Sequence, residues 1–131
     1  MGTGQDSHTA AVMRILVVED EPSVAQFLAE AIKAAGHEVL VALDGAEAFD
    51  VLEATPVAGV FMDLIMPGLS GIPLLVKIHT RHPHLPIVIL SAHAGGEAAA
   101  RATELGAVAV LQKPAALAQI SEILSRLQSA C

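Results

Sequence analysis

Five short apolar runs punctuate the chain: ILVV at 15–18, VLVAL at 39–43, VAGVFM at 57–62, PIVIL at 86–90 and AVAVL at 107–111. They are rich in Val and Ile and nearly continuous instead of alternating, as expected of strands buried on both faces of a parallel sheet. Helix-type periodicity fills the stretches between them. Pro22 suits a first helical position, and Val24, Phe27, Leu28, Ala31, Ile32 and Ala35 follow at i, i+3, i+4 spacing until Gly36 ends the helix. Asp44-Gly45 opens a second helix through Ala48, Phe49 and Leu52, which Pro56 stops. A third runs from about Ser70 with Ile72, Leu75 and Ile78 inward, and ends before Pro83 because the residue preceding a proline is pushed out of the helical region. The fourth, from about Gly96 to Leu105, has only small side chains and Leu105 to bury and is expected to dock weakly. The fifth starts at Pro114 and aligns Leu117, Ile120, Ile123, Leu124 and Leu127. Five strand–helix alternations predict a doubly wound α/β domain with a five-stranded parallel sheet in the order 2-1-3-4-5, the flavodoxin-like (βα)5 arrangement.

The polar residues that end the runs matter more than the runs. Glu19 and Asp20 follow the first, Asp44 the second, Asp63 the third, Ser91 the fourth and Lys113 the fifth. Ligands of open α/β sheets sit beyond the carboxyl ends of the strands, where the strand order reverses. Glu19, Asp20 and Asp63 would meet there. Two carboxylates about 5 Å apart repel by roughly 3 kcal/mol at an effective dielectric of 20, and a third adds to the strain. A divalent cation relieves it, and an all-oxygen donor set that leaves positions for water and phosphate suits Mg²⁺. Asp63 could then attack phosphorus to give an acyl phosphate, with Lys113 neutralising the phosphoryl oxygens.

Composition narrows the alternatives. The 131 residues, 53% of them hydrophobic, suffice for one domain, and no apolar stretch approaches the roughly 20 residues that span a bilayer. A net charge of −7 with only 7 Lys and Arg argues against nucleic-acid binding by this chain alone. Neither Trp nor Tyr is present, and the loop after the first strand reads EDEPS instead of a Gly/Ser/Thr-rich phosphate loop, which disfavours a flavin carrier. A haloacid-dehalogenase-like phosphatase would need a second acid at Ile65. The one cysteine, Cys131, has no intramolecular partner, and the absence of a signal peptide points to the cytoplasm. Residues 1–12 are small, polar and unpatterned and are expected to form a flexible segment ahead of a domain at 13–131. His79, His82, His84 and His93 fit no structural zinc spacing.

The acidic pair in VVEDEP, the segment MDLIMPGLSG around Asp63, the serine of VILSAHA and the QKP after the fifth run together resemble the receiver domain of two-component response regulators, the CheY-like family. The resemblance covers Arg14 to about Leu127. It implies Asp63 as phosphoacceptor, Asp20 as a direct Mg²⁺ ligand, Glu19 as a ligand through water, and the main-chain carbonyl of Ile65 completing the metal site. Mn²⁺ would substitute for Mg²⁺. Ser91 would be the hydroxyl that moves to the phosphoryl group and Lys113 its ion-pairing partner, with the Lys113–Pro114 bond commonly cis. The implied partners are a sensor histidine kinase or a histidine phosphotransfer protein, with no membrane contact and a monomer or weak phosphorylation-dependent dimer. Such a protein is a switch with slow self-dephosphorylation, not a turnover enzyme; a receiver-like interaction module that signals without phosphate is the alternative. His93 would border the phosphoryl group. Two departures stand out: Val110 where the family usually has Tyr or Phe, and Ala115 where Phe often follows the Lys-Pro pair. Without a ring at Val110, coupling is expected to run through the loop after the fourth strand, HAGGE, and on to about residue 105.

Overall fold

The computed structural model describes residues 12–65 and 71–129. Five strands and five helices alternate along it: β1 (Arg14–Val18), α1 (Pro22–Ala34), β2 (Glu38–Ala42), α2 (Gly45–Ala54), β3 (Gly59–Asp63), α3 (Gly71–Arg81), β4 (Ile87–Ser91), α4 (Glu97–Glu104), β5 (Ala109–Gln112) and α5 (Leu117–Ser129). All strand pairs are parallel, in the order β2-β1-β3-β4-β5. The expected fold class is therefore the observed one.

Side chains that alternate along each strand enter two separate cores. Leu16, Val18, Val60, Met62, Ile87 and Ile89 pack with α2, α3 and α4, while Ile15, Val17, Phe61, Val88, Leu90 and Leu111 pack with α1 and α5. This explains why the runs read as continuous: neither face of β3 or β4 meets water.

Helix ends follow their local chemistry. Gly36 closes α1 at φ +95°, a conformation that costs a side chain dearly. Asp44 caps α2 by accepting from the Glu47 amide at 2.8 Å, and the Glu47 carboxylate returns the contact by accepting from the Leu43 amide at 2.8 Å. Gly71 opens α3 at φ +64°, where any Cβ would stand 2.6 Å from the Leu64 carbonyl oxygen, so the helix can approach the end of β3 closely.

Three expectations need correction. Helix α5 begins at Leu117, not Pro114. The Ala116 carbonyl accepts the first helical bonds from Gln119 and Ile120, and the Gln119 side chain accepts from the Ala116 amide, so Pro114 and Ala115 remain in the lead-in that carries Lys113. Leu117 consequently falls in the first turn and is 55% exposed, instead of joining Ile120, Ile123, Leu124 and Leu127 inside. Phe27 on α1 and Ala35, the residue that follows the helix, are exposed as well. Phe27 is half exposed because it borders a cavity of about 430 Å³ shared with Val24, Leu90, Pro114 and Ala115, where the small Ala115 supplies no bulk. As expected, α4 buries little: only Ala99 and Ala102. The first eleven residues, Met66 and the Ser70 helix start lie outside the described residues.

The α2 cap gives a direct test of this local reading. Asp44→Ala removes one acceptor at the helix start and should lower stability by about 1 kcal/mol, measured by urea unfolding with an unchanged m-value.

Candidate functional site

Register builds the site. Val18 pairs with Met62, so the next residues, Glu19 and Asp63, leave adjacent strands side by side at the point where the sheet order reverses. Asp63 pairs in turn with Leu90, and Ser91 with Gln112, which brings Ser91 and Lys113 to the same edge. Each carboxylate of Glu19, Asp20 and Asp63 offers an oxygen, and the three lie within 4.8 Å of one another; among the described residues this is the group arranged to hold a metal. The histidines do not join it. The His79 ring packs against Gly106, and His82 Nε2 lies 3.5 Å from a Glu53 carboxylate oxygen that belongs to the Arg81 ion pair.

Burial differs sharply within the acidic group. Glu19 is fully buried and Asp63 is 6% exposed, whereas Asp20 faces solvent. Lys113 bridges the two buried acids, its Nζ 3.1 Å from Asp63 Oδ2 and 3.4 Å from Glu19 Oε1. The Glu19 carboxylate also accepts from the Glu21 amide at 3.1 Å, and Asp63 Oδ1 from the Ile65 amide at 3.3 Å. Ile65 thus touches the site through its N–H. Ser91 is buried at the end of β4, its Oγ accepting from the His93 amide at 3.0 Å, and the exposed His93 side chain follows it into the loop. The Lys113–Pro114 bond is cis.

These contacts set the charge balance. Burial pushes the Glu19 carboxyl above its ordinary value, and the neighbouring Asp63 adds to this, against the lowering from the Glu21 amide and Lys113. Burial works against the Lys113 ammonium too, but the hydrogen bond to Asp63 and the charges of Asp63 and Glu19 outweigh it and hold Lys113 above its ordinary value. A raised Lys113 adds stability that is complete below about pH 10.5 and is lost as pH rises past it. A raised Glu19 acts in the opposite part of the scale: its contribution is complete below about pH 4.5 and is lost as pH climbs through its folded value. Three hard oxygen donors with surplus negative charge, one of them open to solvent, fit a small divalent cation that keeps part of its water.

Sequence reasoning passed over one residue of this region. Gln112 entered only as part of QKP, yet its side chain binds the backbone on both sides of His93, as Nε2 donates to the Ala92 carbonyl and Oε1 accepts from the Ala94 amide at 3.0 Å. The signal available beforehand was a lone polar residue ending a strand, placed by parallel register beside Ser91.

Removing the Glu19 charge tests the electrostatics. In EDTA at pH 8, Glu19→Gln should melt a few degrees above the wild type, and the gap should close as pH falls and wild-type Glu19 takes up its proton. A variant that melts lower across the whole range would contradict the assigned penalty.

Known proteins carry the same pattern. The family model for the response regulator receiver domain matches residues 15–125. The chain is 35% identical over 114 residues to the response regulator protein FleR of Pseudomonas aeruginosa, covering 86% of this chain and 24% of that protein. It is 36% identical over 100 residues to the transcriptional regulator NtrC of Escherichia coli, covering 76% and 21% respectively. The chain therefore spans about a quarter or less of these relatives' length. Among solved structures, the receiver domain of NtrX from Brucella abortus superposes with a TM-score of 0.84 at 31% identity, covering 89% of this chain and 99% of that one. The receiver domain of the Francisella response regulator 1452 gives a TM-score of 0.84 at 27% identity, covering 90% and 98%. With the acidic group, Ser91 and Lys113 at the strand ends that this fold uses, the chain belongs to the response regulator receiver domain family of two-component signalling.

Proposed function

We propose that this chain takes a phosphoryl group from a phosphohistidine onto Asp63 and changes partner binding as a result. The observation that carries the reading is the position of Asp63, nearly buried beside Glu19 at the β1–β3 switch point with Lys113 bridging the two acids. An Asp63 oxygen attacks phosphorus, the P–N bond to the donor imidazole breaks, and the imidazole leaves with that electron pair. Lys113 pairs with the phosphoryl oxygens as negative charge accumulates there, a role supported by its distance of 3.1 Å from Oδ2. Glu19, Asp20, Asp63 and the Ile65 carbonyl would hold Mg²⁺, or Mn²⁺ in its place. Bound there, the ion supplies charge neutralisation at the phosphoryl oxygens. Ser91 is the hydroxyl that moves onto the phosphoryl group, and exposed His93 borders it.

The domain is residues 13–131. Its donors are a sensor histidine kinase or a histidine phosphotransfer protein in the cytoplasm, and water removes the phosphoryl group slowly, so the chain is a switch and not a turnover enzyme. It acts as a monomer or as a weak dimer formed on phosphorylation, without contacting nucleic acid or membrane itself; among the described residues no helix is long and apolar enough to cross one.

Acetyl phosphate and intact-mass spectrometry test the reading, since the chain lacks the tryptophan used in quenching assays. One phosphoryl adduct should appear in Mg²⁺ and vanish in EDTA or in Asp63→Asn. Persistence of the adduct in either condition would refute the assignment, and a folded wild-type protein that never forms it would favour a module that signals without phosphate.

A further inference from the structure

Gln112 ends β5 in register with Ser91, the end of β4. It lies two residues beyond Val110 and therefore on the same face of the strand, above the position where relatives of the family carry a ring. Its side chain is exposed and serves no core. Instead its amide spans the gap to the next loop, with Nε2 donating to the Ala92 carbonyl and, at 3.4 Å, to the Lys113 carbonyl, while Oε1 accepts from the Ala94 amide at 3.0 Å.

The Ala92–His93 peptide is what gives this contact its leverage. A trans peptide is planar, and its C=O and N–H point in opposite directions. The C=O of this unit is held by Gln112, and its N–H is the donor to Ser91 Oγ at 3.0 Å. The two contacts therefore share one rigid unit: while Gln112 holds the Ala92 carbonyl, the His93 N–H stays aimed at Ser91 Oγ and favours the resting position of the hydroxyl. The other backbone tie, from the Lys113 amide to the Ser91 carbonyl at 2.8 Å, belongs to the strand pairing and leaves the side chain free to move.

We propose that Gln112 is the positioning residue for Ser91: through the Ala92–His93 peptide it holds the hydroxyl in its resting arrangement and so sets how readily the phosphorylated state forms. The inference rests on the reading of Asp63 as phosphoacceptor and Ser91 as the hydroxyl that moves. Where a ring at Val110 would couple Ser91 to β5, here a side-chain amide couples β5 to the backbone of the same loop. A tether made only in the resting state can be removed to the benefit of the other state, because a two-state equilibrium moves by the differential contact energy alone.

The test uses the full chain and beryllofluoride with Mg²⁺ as phosphoryl mimic, with Gln112→Ala and the similarly sized but apolar Gln112→Met as variants. Both should bind beryllofluoride about fivefold more tightly than the wild type, the shift that one net hydrogen bond supplies. Binding of Mg²⁺ alone should not change, and amide exchange at residues 92–96 without ligand should quicken. Unchanged or weaker beryllofluoride binding in either variant overturns the positioning role, since a residue that merely filled space would leave Gln112→Met like the wild type and would not raise affinity. A separate control judges the underlying reading: if the wild type and Asp63→Asn bind beryllofluoride alike, the phosphoacceptor assignment falls, and the Gln112 role with it.

Discussion

The crowding of negative charge at the end of β1 and β3 is the constraint to which the rest of the molecule answers. Parallel pairing in the order β2-β1-β3-β4-β5 leaves Glu19 and Asp63 side by side where the connections diverge, with Glu19 closed off from solvent and Asp63 nearly so. The resulting repulsion is not a defect of packing. It is a strain that the Lys113 ammonium, bridging the two buried acids, partly offsets and that a bound cation would relieve further.

That division of labour explains why stability and function draw on different residues. Ile15, Leu16, Val17 and Val18 are all inaccessible, as are Val60, Phe61 and Met62, so β1 and β3 present their terminal carboxylates from a rigid base. The lightly held parts sit towards the other edge. Helix α4 holds on by Ala99 and Ala102, β5 is four residues long, and the loop between β4 and α4 is fixed by side-chain contacts of Ser91 and Gln112 instead of by a core. Local opening is cheapest where little apolar surface is buried.

Most of this was legible in the sequence because buried parallel strands and their terminal residues are local signals. Runs such as ILVV and PIVIL declared their strands, Gly36 and Asp44 their helix boundaries, and Glu19, Asp20, Asp63, Ser91 and Lys113 the polar set that gathers at the strand ends. What escaped depended on tertiary context. The periodicity that placed Phe27 inward could not register that the small Ala115 leaves a cavity beside it, and a proline at 114 did not reveal that three residues separate Lys113 from the start of α5. Gln112 escaped for the same reason, since its importance lies in the peptide opposite it across the β4–β5 register and not in any local motif.

The central claim is that Lys113 substitutes for a cation in the metal-free site and is not part of the metal's own support. Calorimetric titration of Mg²⁺ into wild-type and Lys113→Ala protein measures this directly. Removing the ammonium takes away a like charge from the entering ion, so the variant should fold and bind Mg²⁺ as tightly as the wild type or a few-fold more tightly, with the largest gain at low ionic strength. A well-folded Lys113→Ala protein that has lost Mg²⁺ binding would contradict the account.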